Sequence, residues 1–151
     1  MKFRKATKKD LPTIIEMIAD DPLGKTRERF QTPLPMEYLK AFKQIDADQN
    51  QELIVLENED SEIIGTLQLT FIQYLTYRGG IRAQIEAVRV RKDQRGLGIG
   101  KAMFTWAIER SKERNAHLLQ LTTDKKRPKA INFYKELGFI DSHEGMKIHF
   151  K

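Results

Sequence analysis

The chain has 151 residues, no cysteine and a formal net charge of +6 at pH 7. This length fits one domain that buries a core, and a content of 40% hydrophobic and 32% charged residues is typical of a globular protein. The lack of cysteine excludes disulfides, a thiolate nucleophile and cysteine-based metal sites. No stretch has the apolar length of a membrane span or of a secretory signal, so we expect no membrane association and a cytoplasmic location.

The basic excess raises the question of a nucleic-acid partner. The 27 lysines and arginines are scattered among 21 acidic residues, and no stretch interleaves basic and aromatic residues as a base-stacking surface does. A solvated basic surface accounts for the charge, so we do not expect nucleic-acid binding. A phosphate-bearing cofactor would also use part of the excess.

The hydrophobic pattern predicts both helices and strands. Ile14 and Ile18 have helical spacing, whereas Leu67, Leu69 and Phe71 alternate with polar residues as in a strand. In chain order we expect a strand at 2–6, helices from about 11 and 36, strands at 52–57, 63–73 and 81–90, a helix at 99–115, a strand at 118–123, a helix after 128 and a final strand at 146–150. This order, with a parallel central β-α-β unit, predicts one mixed α/β domain over residues 1–151.

A glycine-rich turn follows the predicted strand 81–90. Gly96, Gly98 and Gly100 alternate there; glycine lets the backbone approach a ligand, and the start of the next helix offers unpaired N–H groups that suit a phosphate. The dinucleotide pattern G-x-G-x-x-G would need another glycine where Lys101 or Met103 lies, and the P-loop would need serine or threonine after Lys101. The turn therefore predicts a phosphate site of another kind.

The strand before this turn breaks its alternation. Apolar residues hold odd positions up to Ala87 and even positions at Val88 and Val90. A phase change of one residue is what a β-bulge produces, and a bulge leaves backbone groups unpaired and splays the strand from its neighbour. A strand end buried on both faces would show the same pattern, so both alternatives stay open.

Two motifs and the element order carry a family resemblance. The first motif is Val88-x-Val90 followed by Arg95-x-x-Gly98-x-Gly100, and the second is Ala130-x-x-Phe133-Tyr134-x-x-x-Gly138-Phe139. They resemble the GNAT superfamily, the acyl-coenzyme A-dependent N-acyltransferases. The resemblance implies an α/β (α+β) fold with a mixed, mostly antiparallel central sheet, splayed at strands 4/5 and with helices on both faces. It also implies acetyl-CoA as the cosubstrate, a small-molecule amine as the acceptor and a possible homodimer.

By this resemblance, the cofactor contacts come from the fourth strand, the glycine turn and the last helix. They would be Val88, Arg89, Val90, Arg95, Gly96, Leu97, Gly98, Ile99, Gly100, Lys101, Arg127, Phe133 and Tyr134. Backbone N–H groups of the turn would hold the pyrophosphate, and an amide of the splayed strand would polarise the thioester carbonyl. Many family members have asparagine where this chain has Arg127, so the role of Arg127 is not carried over.

The resemblance also suggests the two catalytic residues. Tyr134 matches the family's acid, and a phenol with a pKa of about 10 is protonated at neutral pH; the alternative is an aromatic residue packed in the core. Glu86 is the candidate base that takes a proton from the attacking ammonium, directly or through water. Its alternative role is a structural ion pair with Arg82 or Arg89.

The acceptor would lie against the segments that form its pocket in this family. The candidate substrate-binding residues are Arg27, Arg29, Tyr77, Arg82 and Gln84, of which Tyr77 and Gln84 are also alternative bases. Because arginine binds carboxylates and phosphates with paired hydrogen bonds, we expect a small amine that also bears an anionic group, such as an amino acid.

Other functions stay open at this stage. A protein N-terminal or lysine acetyltransferase would need an open groove, and a non-catalytic acyl-CoA-binding module would share the same motifs. The 3 histidines show no metal-ligand spacing, so we expect no metal.

Overall fold

A computed structural model describes all residues 1–151, which form a five-stranded sheet and four α-helices. The strands are β1 Lys2–Lys5, β2 Gln51–Glu57, β3 Ile63–Gln73, β4 Ile81–Val90 and β5 Leu118–Gln120. The helices are α1 Leu11–Ala19, α2 Met36–Ala47, α3 Ile99–Glu113 and α4 Pro128–Glu136. None of the helices has the length and apolarity needed to cross a bilayer.

The strands lie side by side in the order β1-β2-β3-β4-β5. Every neighbouring pair is antiparallel except β4 and β5, which are parallel and are connected through α3, as a right-handed crossover requires. Thr76–Gly79, between β3 and β4, is a tight turn rather than a helix, since Tyr77 and Arg78 have φ of 54° and 58°. The expected α/β domain with a mixed, mostly antiparallel sheet is confirmed.

Two hydrophobic cores cover the two faces of the sheet. On one face, Leu67 and Ile85 of the sheet contact Met103 and Phe104 of α3, and α4 packs against the same core. On the other face, α1 and α2 cover Val55. The helices therefore lie on both faces, as the resemblance implied, and each side chain of β4 faces either α3 or α1.

A β-bulge interrupts β4 where the sequence alternation changes phase. Thr66 of β3 pairs with Arg89 and Gln68 pairs with Glu86, so Leu67 faces two residues of β4. Ala87 has a φ of 51° there. Because of the extra residue, Ile85 and Val88 both contact the α3 core, while Glu86 and Arg89 both face α1. The bulge alternative is confirmed.

The sheet opens beyond the bulge. β4 and β5 pair only from Arg82, opposite Leu118, to Gln84, opposite Gln120. The rest of β4, up to Val90, has no strand on that side, which confirms the expected splay at strands 4/5. A backbone edge that lacks a strand partner is free to bind a ligand.

The predicted final strand is absent. The segment after Phe139 forms no strand, and Met146, Ile148 and Phe150 are 93%, 83% and 92% exposed. Their alternation is typical of a strand, but a strand also needs a neighbouring strand, and no strand of the sheet pairs with this segment. The strand predicted at 118–123 likewise ends early, at Gln120.

Candidate active site

The glycine turn forms an open cradle of backbone N–H groups. Gly96 and Gly98 have φ of 79° and 81°, and no atom lies within 4 Å of the position a Cβ would take at either residue. None of the N–H groups from Gly96 to Lys101 has an acceptor in the chain; the first that does is Ala102, which donates to the Gly98 oxygen at 3.1 Å. These donors lie at the positive end of the 15-residue helix α3. The cradle fits a pyrophosphate.

The Arg95 side chain connects this turn to its surroundings. Its Nε donates to the Val90 oxygen at 3.1 Å, and its Nη2 lies 3.2 Å from a carboxylate oxygen of Asp20. Lys101 is exposed and forms no ion pair, so its charge is available to a phosphate.

The open edge of β4 presents backbone groups next to the cradle. The carbonyl oxygens of Val88 and Val90 accept hydrogen bonds from the Arg89 and Arg95 side chains, at 2.8 and 3.1 Å. These residues therefore point their backbone groups away from β3. The unpaired amides expected near the turn lie along this edge, where an extended ligand could pair with them as another strand does.

Tyr134 combines a packed ring with a free hydroxyl. Its ring contacts Phe104 with centroids 5.5 Å apart, and Phe139 at 6.1 Å, so the core-aromatic interpretation holds for the ring. The hydroxyl makes no hydrogen bond within the chain, which leaves it free to donate a proton. Phe133 also contacts Phe104, at 5.7 Å.

Glu86 lies at the point where β4 and β5 separate. Gln120 Nε2 donates to Gln84 Oε1 at 2.8 Å, and Gln84 Nε2 donates to Glu86 Oε1 at 2.8 Å. The Glu86 side chain is exposed and makes no ion pair, so the alternative of a structural ion pair with Arg82 or Arg89 does not apply. The carboxylate is accessible to a ligand in the opening.

Two arginines lie close to one carboxylate beside the opening between β4 and β5. Asp21, just after α1, lies 2.5 Å from Arg127 Nη2 and 3.6 Å from Arg89 Nη2. Its Oδ2 also accepts the N–H groups of Leu23 and Gly24, at 3.1 and 3.2 Å. Burial raises the pKa of Asp21, but the two arginines and the loop amides outweigh it, so the pKa lies below its usual value.

Sequence reasoning missed Asp21, which is not among the predicted site residues. Its two arginine partners were assigned to the cofactor. Arg127 precedes α4 and reaches across the opening to a residue 106 positions earlier in the chain. An acidic residue beside a proline is a common end to a helix, so no local pattern separates this aspartate from others.

The predicted acceptor residues fall into two groups. Arg27 pairs with Glu28 at 2.8 Å, and Arg29 is exposed on the same loop after α1. Arg82 lies instead at the start of β4, roughly 20 Å from Arg89 at about 3.3 Å per residue, and Tyr77 lies in the turn before β4. There the Arg82 guanidinium covers the Tyr74 ring, and the Tyr77 ring contacts His117, with centroids 4.5 Å apart. Of the predicted acceptor residues, only Gln84 forms a hydrogen bond with Glu86.

The molecule also has a cavity away from the β4 opening. A cavity of about 240 Å³ is lined by Arg4, Glu52, Trp106 and Arg110, but Arg4 and Arg110 are paired with buried carboxylates and the cavity is lined by none of the residues at the β4 opening. No group of three or more His, Cys, Asp and Glu side chains is placed to hold a metal ion.

Comparison with known proteins agrees with this geometry. The model of the acetyltransferase (GNAT) family matches residues 16–139. An L-methionine sulfoximine/L-methionine sulfone acetyltransferase of Pseudomonas aeruginosa is 29% identical over 141 residues, which cover 91% of this chain and 78% of that protein.

Solved structures show the same fold. A protein described as a transcriptional regulator from Bacillus halodurans is 56% identical, covers 99% of both chains and has a TM-score of 0.95. A protein described as a predicted acetyltransferase from Clostridium acetobutylicum, solved with acetyl-CoA, is 25% identical over 98% of this chain and 95% of its own, with a TM-score of 0.74. The family match spans strands β2 to β5, the cradle and Tyr134. The chain is an N-acetyltransferase and belongs to the acetyltransferase (GNAT) family.

Proposed function

We propose that this enzyme transfers the acetyl group of acetyl-CoA to the primary amine of a small molecule that also bears an anionic group. The observation that carries the proposal is the cradle of unpaired N–H groups from Gly96 to Lys101, which lies beside the unpaired edge of β4. The Pseudomonas relative is named for amino-acid derivatives, which supports a small anionic amine as the acceptor.

Residues of the cradle and of the β4 edge bind acetyl-CoA and polarise its thioester carbonyl. The cradle, with Lys101, holds the pyrophosphate, and the β4 edge at Val88 and Val90 aligns the extended arm of the cosubstrate. Bound acetyl-CoA supplies a thioester carbonyl for direct attack. A backbone N–H of this edge stabilises the negative charge that develops on the carbonyl oxygen, an effect worth roughly 3–4 kcal/mol in other enzymes.

Two side chains transfer protons in the proposed reaction, Glu86 as the base and Tyr134 as the acid. Glu86 accepts the proton that an ammonium group must lose before its nitrogen attacks, directly or through water. The new carbon–nitrogen bond replaces the carbon–sulfur bond, and the hydroxyl of Tyr134 gives its proton to the departing sulfur. Direct attack in a ternary complex needs no cysteine, and the chain has none.

A first experiment measures binding and turnover. Acetyl-CoA at 100 times its dissociation constant should stabilise the folded chain by about 2.7 kcal/mol, visible as a higher Tm. Acetyl transfer to amino acids, polyamines and aminosugars is then followed by the release of free thiol, which the cysteine-free chain does not obscure. No thermal shift and no turnover would overturn the proposal, and turnover of cationic polyamines alone would overturn the anionic acceptor.

A protein acceptor is the alternative within the same reaction. The same thiol assay with peptides that present a free N-terminus or a lysine separates the two cases. Turnover of peptides with no turnover of free amino acids would favour the protein acceptor. A Glu86→Gln variant with unchanged turnover at neutral pH would remove Glu86 from the mechanism.

Nucleic-acid binding is a second candidate, favoured only by the description of the Bacillus relative. Titration of labelled duplex DNA at two salt concentrations tests it, since binding through phosphate contacts weakens steeply with salt.

The cytoplasmic location also stays a prediction, which imaging of a tagged chain would test.

A further inference from the structure

We propose that Arg89 binds a carboxylate of the acceptor, so that the acceptor is an amino acid. The inference rests on the proposed function and names the residue that would select its substrate.

Arg89 is a largely buried arginine with most of its donors free. Its side chain is only 14% exposed, and a guanidinium has five N–H donors. Nη1 donates to the Val88 oxygen at 2.8 Å, whereas buried Nε has no partner and Nη2 lies 3.6 Å from Asp21, beyond hydrogen-bond distance. Buried donors without partners are costly, and an anionic ligand would satisfy them.

Other arginines of the chain show what a structural arginine looks like here. Arg4, Arg91 and Arg110 each bond to carboxylates, which raise their pKa values. The pKa of Arg89 is lowered instead, mainly because the side chain is buried and also because of nearby Arg127. Its charge is under-compensated in the folded chain.

The charges around Arg89 do not balance without one further carboxylate. Arg89 and Arg127 share the single carboxylate of Asp21, so the group carries an uncompensated positive charge. Arginine also binds carboxylates through two parallel hydrogen bonds. A monoanionic carboxylate would therefore balance the cluster.

The bulge places this arginine beside the candidate base. Glu86 and Arg89 flank the extra residue and face the same side of β4, so their backbones are roughly 7 Å apart, as for side-by-side residues on one strand face. Two side chains on one strand face at this spacing suit an amine and a carboxylate a few bonds apart. Arg82 also has a buried unpaired Nε, but it lies where β5 closes the sheet.

The test compares amino acids with their carboxamides. L-Amino acids, with L-methionine sulfone among them, and the matching neutral carboxamides are assayed with the wild-type chain and with Arg89→Gln. In the variant we expect kcat/KM for the acids to fall about 100-fold, mainly through KM, which corresponds to a charge-assisted interaction of about 2.7 kcal/mol. The carboxamides should change less than about threefold, with the KM for acetyl-CoA unchanged.

Further variants separate the possible outcomes. Arg89→Lys keeps the charge without the paired donors and should retain part of the preference, while Arg91→Gln, an arginine paired with Asp93 and Glu62, should leave it intact. An equal loss for acids and carboxamides, or a raised KM for acetyl-CoA, would overturn the inference while the proposed function stands. A wild-type chain that acetylates no amine would overturn both.

Discussion

Ala87 is the extra residue of the β4 bulge and holds an uncommon backbone conformation. Its φ of 51° is in the left-handed region, which costs a residue with a Cβ about 1–2 kcal/mol. The bulge offsets this cost because it keeps Val88 packed against the α3 core. It also places Arg89 on the same strand face as Glu86.

Substitutions of Ala87 should therefore reverse the usual strand preference. Ala87→Gly removes the strain and should leave the free energy of unfolding within about 0.5 kcal/mol, because the gain offsets glycine's greater unfolded-state entropy. Ala87→Val, which an exposed strand position normally favours, should lower it by about 1–2 kcal/mol. Chemical denaturation measures both. A valine variant as stable as the glycine variant would show that the bulge residue is not left-handed.

Tyr134 allows a catalytic role to be separated from a packing role. Tyr134→Phe keeps the ring against Phe104 and Phe139 and removes only a hydroxyl that bonds to nothing in the chain. We expect kcat to fall about 100-fold, as for a lost general acid, with the KM for acetyl-CoA and the Tm nearly unchanged. Tyr74→Phe, outside the opening, is the control and should keep full activity. If both variants are equally active, Tyr134 is not the acid.

At the scale of elements, a buried carboxylate joins β2 to α3. Glu52 is 2% exposed; Arg110 Nη2 lies 2.5 Å from it and Arg114 Nη1 lies 3.1 Å away. Burial raises the pKa of Glu52, but the hydrogen bonds and charges of the arginines outweigh it, so the pKa is lowered. The helix that forms the cradle is thereby fixed to the sheet at its other end.

Glu52→Gln should destabilise the fold by about 3 kcal/mol, because it leaves Arg110 and Arg114 without their shared buried partner. Since the pKa of Glu52 is lower in the folded chain than in the unfolded one, its contribution is complete above the unfolded value of about 4.3 and is lost as pH falls through the folded value. Urea denaturation from pH 7 to pH 3 should show a smaller acid-side loss in the variant. Glu113→Gln, the exposed partner of Arg110, should change stability by less than about 0.5 kcal/mol.

Local sequence patterns predicted the elements near the active site. They did not predict features that depend on contacts between residues far apart in the chain. The phase change at Val88 and the glycines of the cradle are short-range signals, and both features are present as expected. The Asp21–Arg127 contact joins residues 106 positions apart, so no window of sequence contains it. The strand expected around Ile148 had the right alternation, but whether a strand forms also depends on an edge to pair with.

For the molecule as a whole, β5 leaves one side of the sheet as an open edge. β5 pairs with β4 on one side and with nothing on the other. The segment after Phe139 carries Met146, Ile148 and Phe150 at alternating positions, all highly exposed. Apolar side chains exposed in such a row mark an interaction site, and each copy of the chain supplies both a free edge and a segment able to pair with it.

We therefore predict a homodimer in which this segment of one copy adds to the β5 edge of the other. Light scattering at low and high concentration should give the mass of a dimer for the full chain and of a monomer for a chain that ends at Asp141. Ile148→Asp should weaken the dimer, whereas Lys147→Asp should have less effect, because Lys147 does not belong to the apolar row of Met146, Ile148 and Phe150. A full chain that stays monomeric would contradict the dimer. A shortened chain that still dimerises would contradict strand exchange, because the two copies would then associate without this segment.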